Sequence, residues 1–222
     1  FINNMTHEFK TPISTISLAI DAITHPKIIK NENQINHFAN VIRKENTRMN
    51  QQIESVLNTA LGEKNELELK FMSIDLNTII QAAAERMKLQ LKAHNAILKL
   101  HLSKKSLNVL VDNIHFQNAI CNLIDNAIKY NKEEPVVILK TDLDKGVCMV
   151  SVSDNGIGMS HETQKKVFEK FYRVEKGNIH TTKGFGIGLS YVKTVVAAHK
   201  GTIDLKSKLN KGTTVLIKIP QA

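Results

Sequence analysis

With 222 residues and 42% hydrophobic composition, the chain is long enough for one large domain or two small ones and has the composition of an ordinary globular protein. A formal charge of +9, from 30 Lys+Arg against 21 Asp+Glu, suits nucleic acid, an anionic membrane surface, or an acidic protein or nucleotide ligand. The basic residues are scattered, Trp is absent and no nucleic-acid motif appears, so nucleic acid is set aside as a partner. No stretch approaches the roughly 20 apolar residues needed to span a bilayer, and no signal-peptide pattern opens the chain. A start at Phe1 inside a helical pattern, with neither cap nor initiator Met, leads to the expectation of a piece of a longer protein. Cys121 and Cys148 stand alone in apolar segments without metal-ligand spacing, which reads as reduced, buried and without chemistry.

Apolar residues at Ile2, Met5, Phe9, Ile13, Ile16, Ile20 and Ile23 alternate steps of three and four, so residues 1–23 are predicted to form an amphipathic helix. The pattern breaks over 25–33. A second stripe follows at Ile35, Phe38, Ile42, Met49, Ile53 and Val56, making a helical hairpin. One hairpin buries both stripes poorly, whereas two hairpins complete a four-helix bundle, so a homodimer is expected. The charged and polar residues 63–70 read as a linker, separating a hairpin at 1–62 from a second domain at 71–222. In that domain helices are predicted at 77–92, 113–130 and 189–199, the last stopped by Gly201. Extended segments are predicted at 97–102, 136–141, 147–153, 202–207 and 213–219. The class is α+β, with helices packed on one sheet.

The first chemistry lies in HEFKTP, residues 7–12. His7 falls about 160° around the helix from Phe9 and about 180° from Ile16, opposite the apolar stripe, which predicts an exposed imidazole. Glu8 is beside it, and Thr11 returns to nearly the same face. Pro12 cannot donate to the Glu8 carbonyl, so a bend is expected there. A neutral imidazole attacks phosphorus through one nitrogen, and the adjacent carboxylate can take the proton from the other. Thr11 could orient a water for the hydrolysis of a phosphoryl group on a partner. An exposed His followed by Glu is also what plain helix surface looks like.

In NLIDNAIKYN, Asn122, Asn126 and Lys129 lie within about 60° of one another on a helix, opposite Ile120, Leu123, Ala127 and Ile128. Neutral amides can give oxygen ligands to a Mg²⁺ that already holds phosphate oxygens, Lys129 can add a point charge, and Tyr130 offers a ring. A solvated face at a helix end would show the same row. DNGIGM follows a predicted strand directly; Asp154 there can accept from an exocyclic amine, and Gly156 and Gly158 permit a close backbone approach, although a turn would look similar. Gly184, Gly186 and Gly188 in GFGIGLS precede a helix, so backbone amides and the helix N-terminus can face phosphates. The spacing differs from the Rossmann fingerprint and from the P-loop. Between these glycine segments, Phe168 and Phe171 of FEKFYRV can anchor a loop while Arg173 reaches a terminal phosphate, and the polar residues 175–183 read as a mobile lid.

Taken together, these segments resemble the sensor histidine kinases over essentially the whole chain: HEFKTP is similar to their H-box, NLIDNAIKYN to the N-box, DNGIGM and GFGIGLS to the glycine boxes, FEKFYRV to the F-box, and KGTTV to the last glycine box. The resemblance implies ATP and Mg²⁺ as ligands, His7 as phospho-acceptor with Glu8 as its acid/base partner, and Thr11 as the phosphatase position. It further implies Asn122, Asn126 and Lys129 at Mg²⁺ and phosphates, Tyr130 and Asp154 at adenine, Arg173 at the γ-phosphate, and the glycines with Thr213 lining the nucleotide. Thr6, Phe9, Lys10 and Val215 depart from the usual residues without removing a group that does chemistry. The implied reaction is autophosphorylation of His7 followed by transfer to an aspartate of a response regulator receiver domain. The implied setting is the cytoplasmic part of a bacterial inner-membrane sensor, with any membrane contact made by upstream segments. A related ATPase module, of the kind in gyrase, mismatch-repair proteins and a chaperone, shares the nucleotide fold, but the hairpin bearing HEFKTP argues against it. A non-catalytic, partner-binding dimer is disfavoured by the complete set of boxes.

Overall fold

A computed structural model describes residues 2–26, 28–61, 68–131, 134–173 and 186–222, with side chains except at 2–9, 47, 48 and 50–61. The lid expected over 175–183, and Gly184, lie outside the described residues. The chain divides into two compact units, one holding α1 and α2, the other α3–α6 and strands β1–β7.

In the first unit α1 (Ile2–Thr24) and α2 (Glu32–Leu61) form the predicted hairpin, and α1 carries Pro12 within its length. The connection is a short series of turns, and Asn31 caps the entry to α2 by accepting from the Gln34 N–H at 3.2 Å. Pro12 and Ala19, two turns apart, are buried, whereas Ile16, Ile23, Ile35, Phe38 and Ile42 are half-buried. Ile13, Leu18 and Ile20 remain 49%, 69% and 47% exposed, so one hairpin leaves much of its apolar surface in water.

The second unit has a five-stranded sheet in the order β2-β4-β5-β7-β6 and a separate two-stranded sheet, β1-β3. The strands are β1 (Phe71–Asp75), β2 (Ile97–His101), β3 (Asn108–Asp112), β4 (Val136–Asp144), β5 (Val147–Asp154), β6 (Thr202–Lys208) and β7 (Gly212–Pro220). β2 pairs parallel with β4, and the other pairs are antiparallel. Alternation explains the layer: Val137 and Leu139, Cys148, Val150 and Val152, and Val215, Ile217 and Ile219 all turn to one face. Helices α3 (Leu76–Ala93), α4 (Asn113–Lys129) and α6 (Gly188–Ala198) cover that face with Ile79, Ile80, Phe116, Ile120, Ile124, Val192 and Val195. Asp75 and Asp112 cap α3 and α4 by accepting from Asn77 and His115 N–H groups at 2.8 and 2.9 Å. A short α5 (His161–Lys166) starts at Ser160.

The predicted helices and strands of this unit are present, with three additions. Strands β1 and β3 and helix α5 were not anticipated, because they are short and because Phe71, Met72 and Leu110 face solvent and blur the alternation. Helix α6 ends where predicted, just before Gly201, whose N–H donates to the Val196 carbonyl at 2.9 Å. Lys200 takes the left-handed turn, at φ 57°, and Gly201 is also demanded by packing, since a Cβ there would stand 2.6 Å from the Lys218 carbonyl oxygen. Cys148 is buried and Cys121 half-buried, both unpaired by disulfide.

Candidate nucleotide and phospho-acceptor site

The largest group of predicted site residues converges where α4, the loop after β5 and the start of α6 meet. Asn122 and Asn126 are both half-buried on α4. A Cβ built on Gly188 would stand 3.3 Å from Asn122 Oδ1 and 3.7 Å from Asn126 Nδ2, so the first turn of α6 lies against both amides. Asn122 Nδ2 donates to the Asn118 carbonyl at 3.0 Å, which turns Oδ1 away from its own helix. Among the described residues Oδ1 of Asn122 and the Asn126 carboxamide have no hydrogen-bond partner. Ile187, at the N-cap of α6, gives no side-chain cap. Uncapped amides beside partnerless amide oxygens make a place that accepts phosphate and a hard cation together. No group of three or more acidic, His or Cys residues is placed to hold a metal ion among the described residues, so a Mg²⁺ here would be held by the asparagine oxygens and the phosphates it neutralises.

Lys129, predicted on the same row, instead pairs with Asp125 one turn back, and Asp125 also accepts from Gln90 on α3. Tyr130 ends α4 and is 44% exposed. Its carbonyl accepts from the Ile157 N–H at 2.9 Å, tying the end of α4 to the loop after β5.

Asp154 closes β5 beside this tie. Its Oδ1 accepts from the Gly156 and Thr213 N–H groups at 2.8 and 3.1 Å, and Oδ2 has no partner among the described residues. Burial pushes its carboxyl up from the ordinary range, and the two backbone donors only partly offset this. Thr213 therefore serves the corner through Asp154: its N–H holds the carboxylate, and its hydroxyl meets Ser207 Oγ at 2.9 Å. The neighbouring glycines are required by close chain packing. Gly156 stands against the Tyr130 carbonyl. Gly158, at φ 61°, and Gly212, at φ 90°, would with any side chain collide with the carbonyls of Lys208 and Asp154. Ser207 and Gln164 complete the clamp, Ser207 Oγ accepting from the Met159 N–H at 2.8 Å and Gln164 Nε2 donating to the Ser207 carbonyl at 2.9 Å.

Arg173 and Phe171 lie against the second glycine segment. Gly186, at φ 71°, accepts at its carbonyl from the Phe171 N–H at 3.0 Å, and a Cβ on it would stand 3.1 Å from Arg173 Cγ. Ser207, Gln164 and Asn118 escaped sequence reading. Asn118 could have been found, because it extends the i, i+4 series of Asn122 and Asn126 by one turn.

In the other unit the helical backbone of α1 places His7 and Glu8 side by side and Thr11 one turn on. Thr11 is exposed, and its carbonyl accepts from the Thr15 hydroxyl at 3.0 Å.

Comparison with known proteins matches each unit. A family model for the His Kinase A (phospho-acceptor) domain covers residues 1–65, and one for the histidine kinase-, DNA gyrase B- and HSP90-like ATPase covers 111–222. Sensor protein RprX of Bacteroides fragilis is 43% identical over 222 residues, covering 99% of this chain and 43% of its own length. Sensor-like histidine kinase SenX3 of Mycobacterium bovis is 30% identical over 221 residues, covering 99% of this chain and 53% of its own. The chain thus spans about half the length of these relatives. In a crystal structure of histidine kinase ThkA with response regulator protein TrrA, the fold matches over 100% of this chain and 61% of that one, with a TM-score of 0.69 at 20% identity.

Proposed function

The chain belongs to the two-component sensor histidine kinases, with their phospho-acceptor and ATPase-type domains in sequence, and from that premise we propose that it phosphorylates His7 from ATP and passes the group to an aspartate of a response regulator. The observation that carries this reading is the meeting of Asn122, Asn126 and the uncapped start of α6 beside the Asp154 corner, in a chain whose first helix bears His7 and Glu8.

In this reading Asp154 receives the adenine amine at Oδ2, with its orientation fixed through Oδ1, and the Tyr130 ring borders the base. Asn122 and Asn126 would hold Mg²⁺ through their amide oxygens, and the amides at Gly186, before the helix, and at Gly188, in its first turn, would bind phosphate. When bound, Mg²⁺ neutralises the phosphate oxygens. Arg173 contacts the γ-phosphate, while Lys129 contributes only by exchanging its Asp125 partner. One ring nitrogen of His7 attacks the γ-phosphorus, the bond to the β-phosphate oxygen breaks, ADP leaves with the electron pair, and Glu8 takes the proton from the other nitrogen. Catalysis is positioning and electrostatics rather than covalent chemistry by the nucleotide-binding unit. Thr11 orients a water when the reaction is hydrolysis of the regulator's phosphoryl group.

Exposed Ile13 and Ile20, both on the apolar stripe of α1, support a homodimer, in which a second hairpin completes a bundle. No described helix is long and apolar enough to cross a membrane, and we assign the chain to the cytoplasmic side of a membrane sensor, with attachment through other segments. The test is a chase: chain labelled with γ-³²P ATP, then mixed with a purified receiver domain of the same organism's regulators, should lose label as one receiver domain gains it. A labelled chain that transfers to none of them would contradict the proposed partner class.

A further inference from the structure

The residue after Asp154 ties down a different part of the chain. Asn155 Oδ1 accepts from Asn131 Nδ2 at 2.6 Å and from the Val136 N–H at 2.8 Å, and Asn155 Nδ2 donates to the Glu134 carbonyl at 3.1 Å. Asn131 and Glu134 belong to the connection between Tyr130, at the end of α4, and Val136, which opens β4. Asn155 lies at the surface, where one hydrogen bond stabilises little. Here, however, a single planar amide has two donors on its oxygen and one N–H engaged, so three contacts share one orientation.

These bonds lie between the two sides of the adenine corner. Asn155 stands in the chain between Asp154 and Gly156, whose N–H donates to Asp154 Oδ1 at 2.8 Å, so fixing residue 155 also steadies the donor that aims the carboxylate. Two residues on, the Ile157 N–H holds the Tyr130 carbonyl at 2.9 Å, and Gly156 is pressed on that same carbonyl. The pairing of β4 with β5 reaches only as far as Val137 opposite Asp154. Beyond it, the connection is held to the end of β5 at its start by Ile157 and farther along by the Asn155 side chain.

We infer that Asn155 is a positioning residue for selection of the base: by holding the connection after α4 against the end of β5, it keeps Tyr130 and Asp154 in a fixed relation, with Asp154 Oδ2 in line for the exocyclic amine of adenine. This rests on the reading of Asp154 as the adenine contact. A hydrogen bond weakens steeply when misaligned, whereas contact with the Tyr130 ring and attraction to phosphate do not. Loosening the connection therefore costs the amine bond first.

The test compares affinities of the complete 222-residue chain for ADP and for inosine diphosphate, whose base carries an oxygen in place of the amine, in wild type, Asn155→Ala, Asn131→Ala and Asp154→Ala. Unfolded chain lowers both apparent affinities alike, so their ratio reports on the folded site alone. Asn155→Ala is expected to weaken ADP binding roughly 3- to 10-fold and inosine diphosphate binding by less than about 2-fold. Asn131→Ala, which removes one donor and leaves the main-chain ties, should lower the ratio by less, and it decides the matter should Asn155→Ala not fold. Asp154→Ala should abolish the preference for ADP. A ratio that stays at the wild-type value in Asn155→Ala, or in Asn131→Ala where Asn155→Ala does not fold, overturns the positioning role even if both affinities fall. A wild-type ratio kept by Asp154→Ala removes instead the underlying reading of Asp154.

Discussion

The acceptor helix and the adenine corner are built on different principles. Around Asp154, backbone from three places closes at once: the Gly156 and Thr213 N–H groups on one carboxylate oxygen, the Ile157 N–H on the Tyr130 carbonyl, and Gly158 and Gly212 pressed on neighbouring carbonyls. On α1 the proposed nucleophile and its base are adjacent residues of one helix, and Thr11, one turn on, is exposed. Recognition of the base needs a fixed shape, so it is held by main chain that no rotamer change can disturb. A nucleophile that meets both a nucleotide and a second protein needs access, and a helix face with a neighbouring carboxylate supplies it. Substitutions on α1 should therefore alter chemistry while sparing binding and stability, and substitutions at the corner should do the reverse.

The largest expected effect is on α1. Glu8→Gln should slow autophosphorylation by about 10²- to 10⁴-fold through loss of the proton acceptor, with ATP affinity unchanged. Rapid-quench labelling beside equilibrium nucleotide binding measures both, and a normal rate would reduce Glu8 to helix surface. At the corner, Gly212→Ala combines a φ of 90° with a collision against the Asp154 carbonyl. It should destabilise the nucleotide-binding unit by on the order of 3 kcal/mol and weaken ATP binding, as read by urea denaturation and nucleotide titration; wild-type values in both would show that the corner is pliable. Asn126→Asp, which adds a charge beside the triphosphate, should weaken ATP binding roughly tenfold, on the order of 1.4 kcal/mol, and unaltered affinity would remove Asn126 from the metal side.

A smaller effect concerns the support behind the site. His199 is 3% exposed, Nε2 accepting from the Asp112 N–H at 2.8 Å and Nδ1 donating to the Val195 carbonyl at 2.7 Å. Burial lowers its pKa from the ordinary 6.5, so in the window below that value the unfolded chain takes up the proton first. The contribution is complete above about pH 6.5 and is lost as pH falls toward the folded pKa. Urea midpoints should decline from pH 7.5 to 5.5, and less steeply in His199→Gln; equal slopes would deny His199 this role.

Much of this was legible in the sequence because the long helices and central strands have strong periods. The stripe of α4 puts Ile120 and Leu123 in the core and leaves Asn122 and Asn126 at the site, and a 3.6-residue repeat reveals both. The strands β1 and β3 were not legible, since Phe71, Met72 and Leu110 are apolar yet exposed. The Lys129–Asp125 pair and the His115–Tyr191 hydrogen bond were also hidden. The first is a local rotamer choice, and the second joins residues 76 positions apart, a distance that no periodicity spans.

The most direct measurement is covalent labelling at His7. Wild-type chain and His7→Gln, each incubated with γ-³²P ATP and Mg²⁺, should bind nucleotide equally. Only the wild type should acquire a phosphoryl group, one that is lost in acid and kept in base, as a phosphoramidate requires. Label that appears undiminished on His7→Gln, or that survives acid on the wild type, would contradict phosphorylation of His7.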